Sequence, residues 1–195
     1  MLLQNYYYVF PQALSHEFCD KIIEQGKQQV VQEAKVADEN LQKSRNSSVA
    51  WMQDLWLYEA IEPYIQEANV QAGWNFDWMG SEMCQFTMYK EQQYYDWHQD
   101  SHLLPYDKPG TMEHGTIRKL SVTVSLEDGD LYEGGNLEFD LRNREDSKSV
   151  VLTAKEARAK GSIIVFPSFV WHRVTPVTKG TRYSLVIWSI GNPFK

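Results

Sequence analysis

Residues 162–190 read "SIIVFPSFVWHRVTPVTKGTRYSLVIWSI". Three segments stand out: "SIIVFP", "VWHRVTP" and "RYSLVIWSI". Each is short, rich in β-branched and aromatic residues, and bounded by Pro, Ser, Thr or Gly, the composition of a strand between turns. The link "TPVTKG" returns the chain as the next strand. Working outward, "EMCQFTMY", "YYDWHQD", "KLSVTVSLE", "GNLEFD" and "SVVLT" repeat the pattern from about Ser81 onward. Eight short strands with no helix between them predict a mostly β (α+β) chain, a two-sheet sandwich or jelly roll, with N-terminal helices packed on one sheet.

Those helices belong to the first third. Ser15 can cap "HEFCDKIIEQGKQQV", in which acidic residues come early and Phe18, Ile22 and Ile23 form a stripe. A second helix is predicted from near Asp54 to Gly73, with Leu55, Tyr58, Ile61, Ile65 and Ala68 on one side and a kink or break at Pro63. The polar run "VADENLQKSRNSSVA" between them reads as a loop. Tyr6, Tyr7 and Tyr8 suit an additional strand. The chain is read as one domain over 1–195: a helical support region, 1–80, and a catalytic jelly-roll core, 81–195. The longest predicted loop, 101–118, leaves the strand carrying His98, and Tyr106, Lys108, Glu113 and His114 are its candidates for selectivity.

The 195 residues are 43% hydrophobic, enough for one sizeable core. A net charge of −7 with no Lys/Arg-rich run speaks against nucleic acid as a partner. No segment approaches the roughly 20 apolar residues that span a bilayer, and the start "MLLQNYYYVF" lacks the charged and apolar regions of a signal peptide. A cytoplasmic protein is expected. Cys19 and Cys84 have neither disulfide-framework nor zinc spacing and read as buried hydrophobes.

Two of the five histidines have unusual settings. His16, His102 and His114 lie in polar surroundings, whereas His98 and His172 sit in strands beside Trp97 and Trp171, where an unpartnered imidazole is costly to bury. Side chains two apart on a strand share a face, so His98 and Asp100 stand together. With His172 they make two imidazoles and one carboxylate, a ligand set for non-haem Fe(II) that leaves positions open for reactants. An H-x-D pair alone more often marks structural histidines, but three further residues shift the balance. Arg182, across the "TPVTKG" turn from His172, offers a fork for a carboxylate. Ser184 follows on the same face and can support that carboxylate, and Tyr89 offers a phenol to another ligand oxygen. Together they describe a pocket for a small dicarboxylate that also chelates the metal. Asp96 shares parity with His98 and Asp100 and is read as a solvated or hydrogen-bonded carboxylate. Trp97, Trp171 and Trp188 are assigned to the core side of their sheets, and Trp51, Trp56, Trp74 and Trp78 to packing between helices and sheet.

"YKEQQYYDWHQD", "GTIRKLSVTVSLEDGDLYEGGNLEF" and "GSIIVFPSFVWHRVTPVTKGTRYSLVIWSIGNPF" resemble the Fe(II)- and 2-oxoglutarate-dependent dioxygenases, specifically the prolyl-4-hydroxylase-like and PKHD-type branch of bacteria and phages. The likeness runs from about Ser81 to the C-terminus. The family's Y-x-x-G-x-x-Y-x-x-H pattern falls on Tyr89, Tyr95 and His98, with Gln92 in place of glycine. Its "EGGELxF" becomes "EGGNLEF", with Asn136 in place of the acidic residue.

This resemblance implies a double-stranded β-helix (jelly roll, cupin-like). It implies a metal triad of His98, Asp100 and His172, a 2-oxoglutarate clamp at Arg182, and Tyr89 touching that cosubstrate. The cofactors it implies are Fe(II), 2-oxoglutarate and dioxygen, with ascorbate as a supporting reductant. Related halogenases lack the carboxylate, so Asp100 points to hydroxylation. A peptide or protein substrate, proline first, is favoured over a small metabolite. The alternative is a non-catalytic cupin-like module that binds metal and dicarboxylate without consuming dioxygen. Oligomeric state is left open by the sequence.

Overall fold

The computed structural model describes residues 3–29, 32–33, 44–101, 104–141 and 150–194. In chain order the elements are β1 (Tyr8–Phe10), α1 (His16–Gln28), β2 (Gln32–Glu33), β3 (Arg45–Asn46), β4 (Ser48–Met52) and α2 (Leu55–Gln71). There follow β5 (Gly80–Ser81), β6 (Cys84–Tyr89), β7 (Tyr94–His98), β8 (Ile117–Ser125), β9 (Tyr132–Gly134) and β10 (Leu137–Asp140). The last are β11 (Val151–Thr153), β12 (Ile163–Pro167), β13 (Trp171–Val174), β14 (Val177–Gly180) and β15 (Arg182–Gly191). All eight strands read from the sequence are present.

The strands form an antiparallel eight-stranded sheet ordered β1-β12-β8-β15-β6-β4-β2, with β5 beside β15, and a five-stranded sheet ordered β11-β10-β13-β7-β3. The expected jelly roll is this pair of facing sheets. A two-stranded ribbon, β14 with β9, closes one end; the segment read as a plain turn in "TPVTKG" is itself a strand.

Period two sorts the large sheet. Leu120, Val122 and Val124 of β8, Leu185 and Ile187 of β15, and Phe86 of β6 point to the helices, where Ile22, Ile61 and Ile65 complete one buried cluster. The intervening residues point to the second sheet. On β12 the alternation is apolar on both sides: Ile163 and Val165 join the helix cluster, and Ile164 and Phe166 meet Leu137 and Phe139 of β10.

The helix α1 begins as expected, with the Ser15 hydroxyl accepting from the Phe18 N–H. Its Gly26 lies flat on Phe86, whose ring would sit 2.5 Å from an added Cβ. Glycine costs about 1 kcal/mol in a helix interior, and here it lets helix and sheet approach. α2 runs through Pro63 without the expected break. Pro63 and the Glu59 carbonyl residue one turn before it are both exposed, so the group that loses its donor faces water.

The predicted loop between the helices is corrected. Residues 36–43 lie outside the described residues, but Arg45–Asn46 pair with β7 and Ser48–Met52 pair with β6. Arg45–Asn46 is polar, whereas Ala50 and Met52 of the second strand join the helix-side core. Tyr8 does begin a strand, β1, paired with β12. No helix among the described residues is long and apolar enough to cross a membrane.

Candidate functional site

His98 and His172 face each other across the β7–β13 pair. The same pair holds an irregularity absent from the sequence reading. On β13 one residue separates His172 from Val174, while on β7 two separate His98 from its counterpart Tyr95. This β-bulge resets the alternation, as bulges beside functional sites do. Tyr95 and His98 therefore face the same way, their rings stacked 3.5 Å apart, and Asp96 is turned out to solvent. The Asp96 carboxylate accepts from the Trp97 N–H at 2.7 Å, so it is a strand carboxylate and stands apart from the histidines.

Asp100 lies beyond the end of β7, so ordinary strand alternation is not what places it. The Ser168 carbonyl accepts from the N–H groups of Asp100 (2.8 Å) and Ser101 (2.9 Å). The Ser121 hydroxyl donates to Asp100 Oδ2 at 2.7 Å and lies 2.9 Å from the Ser168 hydroxyl. Asp100 Oδ1 is 3.7 Å from His98 Nε2 and Oδ2 is 3.5 Å from His172 Nε2. One ligand atom from each of the three residues lies within 4.8 Å of the others.

Both imidazoles are oriented by carbonyls. His98 Nδ1 meets the Asp96 carbonyl at 2.7 Å and His172 Nδ1 meets that of Val170 at 2.9 Å. A carbonyl only accepts, so each Nδ1 carries the proton and each Nε2 presents a lone pair to the centre. Burial, with the neighbouring His172, pushes the His98 ring well below its usual range, leaving it neutral. Burial alone would raise the Asp100 carboxyl. The His172 and His98 rings, Arg118 and the Ser121 hydroxyl outweigh it and hold the group below the carboxylate range. The two Nε2 atoms and the carboxylate thus converge on one point where a cation can sit.

The same pocket contains Arg182, Tyr89 and Ser184. Arg182 pairs across β15–β6 with Tyr89, and its guanidinium lies 5.4 Å from that ring. Its Nη1 donates to Ser184 Oγ at 3.1 Å. Arg182 is only 3% exposed, yet no carboxylate pairs with it among the described residues. A buried guanidinium met by a hydroxyl alone is costly until an anion joins it.

Some sequence readings are corrected here. Trp188 lies on the pocket face of β15, in step with Arg182 and Ser184, and lines the site. Trp51 is 43% exposed on that same face, its ring 6.3 Å from Trp188. Trp97 lies on the outer face under Arg173. Of the 101–118 loop, His102 is outside the described residues. Tyr106 donates to Glu82, which also takes two bonds from Arg118, and Lys108 pairs with Glu113. None of these, nor His114, lines the pocket. Gln92, standing where the family pattern has glycine, keeps a left-handed backbone at φ 65°. Its N–H donates to the Val177 carbonyl at 2.8 Å, which offsets the cost of about 1–2 kcal/mol for that conformation. The site residue missed by the sequence reading is Arg45, which enters the pocket from β3.

The family model described as the 2OG-Fe(II) oxygenase superfamily matches residues 84–190, over half of the chain. A PKHD-type hydroxylase of Synechococcus sp. (strain CC9605) is 37% identical over 94 residues, 48% of this chain and 35% of that protein. One from Xylella fastidiosa (strain 9a5c) is 33% identical over 104 residues, 53% of this chain and 42% of the relative. The matched stretch therefore spans less than half the length of these relatives. Among solved structures, the viral collagen prolyl hydroxylase of Paramecium Bursaria Chlorella virus-1, in its 2OG complex, superposes with a TM-score of 0.65 at 21% identity, covering 96% of this chain and 97% of that one. A Trichoplax adhaerens prolyl hydroxylase, in complex with a hypoxia inducible factor oxygen degradation domain peptide fragment, gives a TM-score of 0.70 at 18% identity, covering 95% and 84%. These likenesses show the fold.

Proposed function

The chain belongs to the 2OG-Fe(II) oxygenase superfamily, and on that premise we propose that it hydroxylates an unactivated C–H bond of a prolyl or other amino-acid side chain in a peptide or protein. The observation that carries this reading is the coexistence, in one pocket, of a His98–Asp100–His172 cluster and a buried arginine without a carboxylate partner. The relatives' names, prolyl and PKHD-type hydroxylases, favour an amino-acid side chain, and the peptide held by the Trichoplax enzyme favours a peptide.

The residues fit the family's two cofactors. His98 Nε2, Asp100 and His172 Nε2 are the atoms that would hold Fe(II), and three protein ligands leave room for reactants. Arg182, steadied by Ser184, would grip the distal carboxylate of 2-oxoglutarate, with Tyr89 beside it. Bound together, iron and cosubstrate supply the oxidising power: dioxygen and 2-oxoglutarate are consumed, and succinate, carbon dioxide and hydroxylated product leave.

The chain's own residues supply placement. The Asp96 and Val170 carbonyls fix the two tautomers, so the ring nitrogens need no proton transfer before binding metal. Ser121 and the Ser168 backbone hold Asp100 at a set angle. Burial raises the Tyr95 phenol to about 12, so it stays protonated, packed on His98 as a wall of the pocket. The two cysteines are free and buried, which suits a reducing compartment such as the cytoplasm. We read the chain as one oxygenase domain.

Anaerobic titration with Fe(II) and 2-oxoglutarate tests the reading. A weak visible charge-transfer band, lost in His172→Ala, followed by succinate once oxygen is admitted, is the expected result. Binding of metal and dicarboxylate with no succinate overturns it in favour of a binding module.

A further inference from the structure

Arg45 is a second cation in the pocket lining, and the chemistry above leaves it unused. Its Nε donates to Ser47 Oγ at 2.9 Å and its Nη1 to Gln85 Oε1 at 3.4 Å. Both acceptors are neutral, and its buried Nη2 has no hydrogen-bond partner among the described residues. The guanidinium lies 4.7 Å from the ring of Tyr95, which stacks on His98, so one aromatic ring links it to the proposed metal centre. The indole Nε1 of Trp188, in the same lining, is likewise buried and has no hydrogen-bond partner among the described residues.

Charge gives these donors a direction. The charged groups of the lining are Arg45, Arg182 and Asp100: two guanidinium groups against one carboxylate. Fe(II) and a 2-oxoglutarate dianion cancel each other, so the loaded pocket keeps one uncompensated positive charge. Arg118, which stacks on Trp188, shows the contrast, because Glu82 holds it in a bidentate pair. A half-buried cation whose Nη2 is itself shielded from water and unused as a donor calls for an anionic acceptor.

We propose that Arg45, assisted by the Trp188 indole N–H, seats a carboxylate of the substrate itself, so that the molecule oxidised is an acid: the C-terminal residue of a peptide or a free amino acid. This rests on the oxygenase reading and narrows its substrate class. Arg45 is then the residue that sets specificity, while Arg182 serves the cosubstrate.

The test uses the full chain loaded with Mn(II) and N-oxalylglycine, inert stand-ins for Fe(II) and 2-oxoglutarate, with uptake of both measured first. The N-acetyl amino acids, their primary amides and the free amino acids are then titrated, with tryptophan emission as the readout. The best N-acetyl acid is expected to bind about tenfold or more tightly than its amide, the range of a charged hydrogen bond. Arg45→Gln is expected to bring that ratio close to one, and Arg45→Lys to keep part of it, with Mn(II) uptake showing that both variants are folded. Preference for N-acetyl over free acids identifies a chain terminus, and the reverse a free amino acid. Equal binding of acid and amide, absence of binding by either series, or a preference that survives in Arg45→Gln overturns the inference. Failure to take up Mn(II) and N-oxalylglycine instead overturns the oxygenase reading beneath it.

Discussion

Apart from β12, which is apolar on both sides, the two faces of the eight-stranded sheet are built from the same strands and share almost nothing in chemistry. Toward α1 and α2 stand Phe86, Leu120, Val122, Val124, Leu185 and Ile187, all essentially without solvent exposure. One residue along each strand, the opposite face carries Gln85, Ser121, Thr123, Arg182 and Ser184, which are also buried but polar. Hydrophobic burial stabilises in proportion to apolar area, about 25 cal/mol per Å², whereas a buried hydrogen bond nets only about 0.5–1.5 kcal/mol, because bonds to water are given up for it. The helix face therefore carries the stability and the other face carries the chemistry. Because the division follows parity, a one-residue slip in any strand would exchange the two roles.

Substitutions test how clean that division is. The largest effect is expected from Asp100→Ala on the polar face, which should abolish substrate-dependent succinate formation while circular dichroism stays native; turnover in that variant would break the assignment of the triad. Next is Phe86→Ala on the helix face. Loss of a fully buried ring should cost about 3–5 kcal/mol in denaturant unfolding and leave metal affinity alone, so a parallel loss of metal would show that the faces are coupled. Arg182→Gln removes a charge-assisted pair worth about 1.5–3 kcal/mol and should raise the 2-oxoglutarate KM without altering the unfolding midpoint by a comparable amount. The smallest is Ser121→Ala. It should lower metal affinity about tenfold, the lower end for a group that orients a ligand, as measured by Fe(II) titration.

Much of this was legible from residue order. The eight strands, Ser15 as a cap, and the set His98, Asp100, His172, Arg182 and Ser184 all come from period-two patterning and spacing, and the structure gathers those site residues into one pocket. Parity also held the answer for Trp188, an even number of positions from Arg182, although adjacency to apolar neighbours pointed the other way. Other features had no local signal. Arg45 and Ser48 look like loop residues because β3 is two polar residues long, the apolar face of β4 appears only at Ala50 and Met52, past the polar run, and their partners, β6 and β7, are distant in sequence. The bulge that turns Asp96 away depends on register between β7 and β13, which no single segment encodes. Asp100 stands beside His98 for a reason that strand parity does not contain, since its position is set by Ser168 and Ser121.

That last arrangement bears on how a metal would come and go. Ser168 ties the Asp100 backbone to the turn that leads into His172, and both imidazoles are already aimed by main-chain oxygens. A zinc finger spends its metal affinity on folding; here hydrogen bonds to the fold itself hold all three ligand side chains, so metal exchange need not involve unfolding. Chelators should therefore silence the protein reversibly and lower its melting temperature only by what mass action at one metal site removes, with circular dichroism staying native.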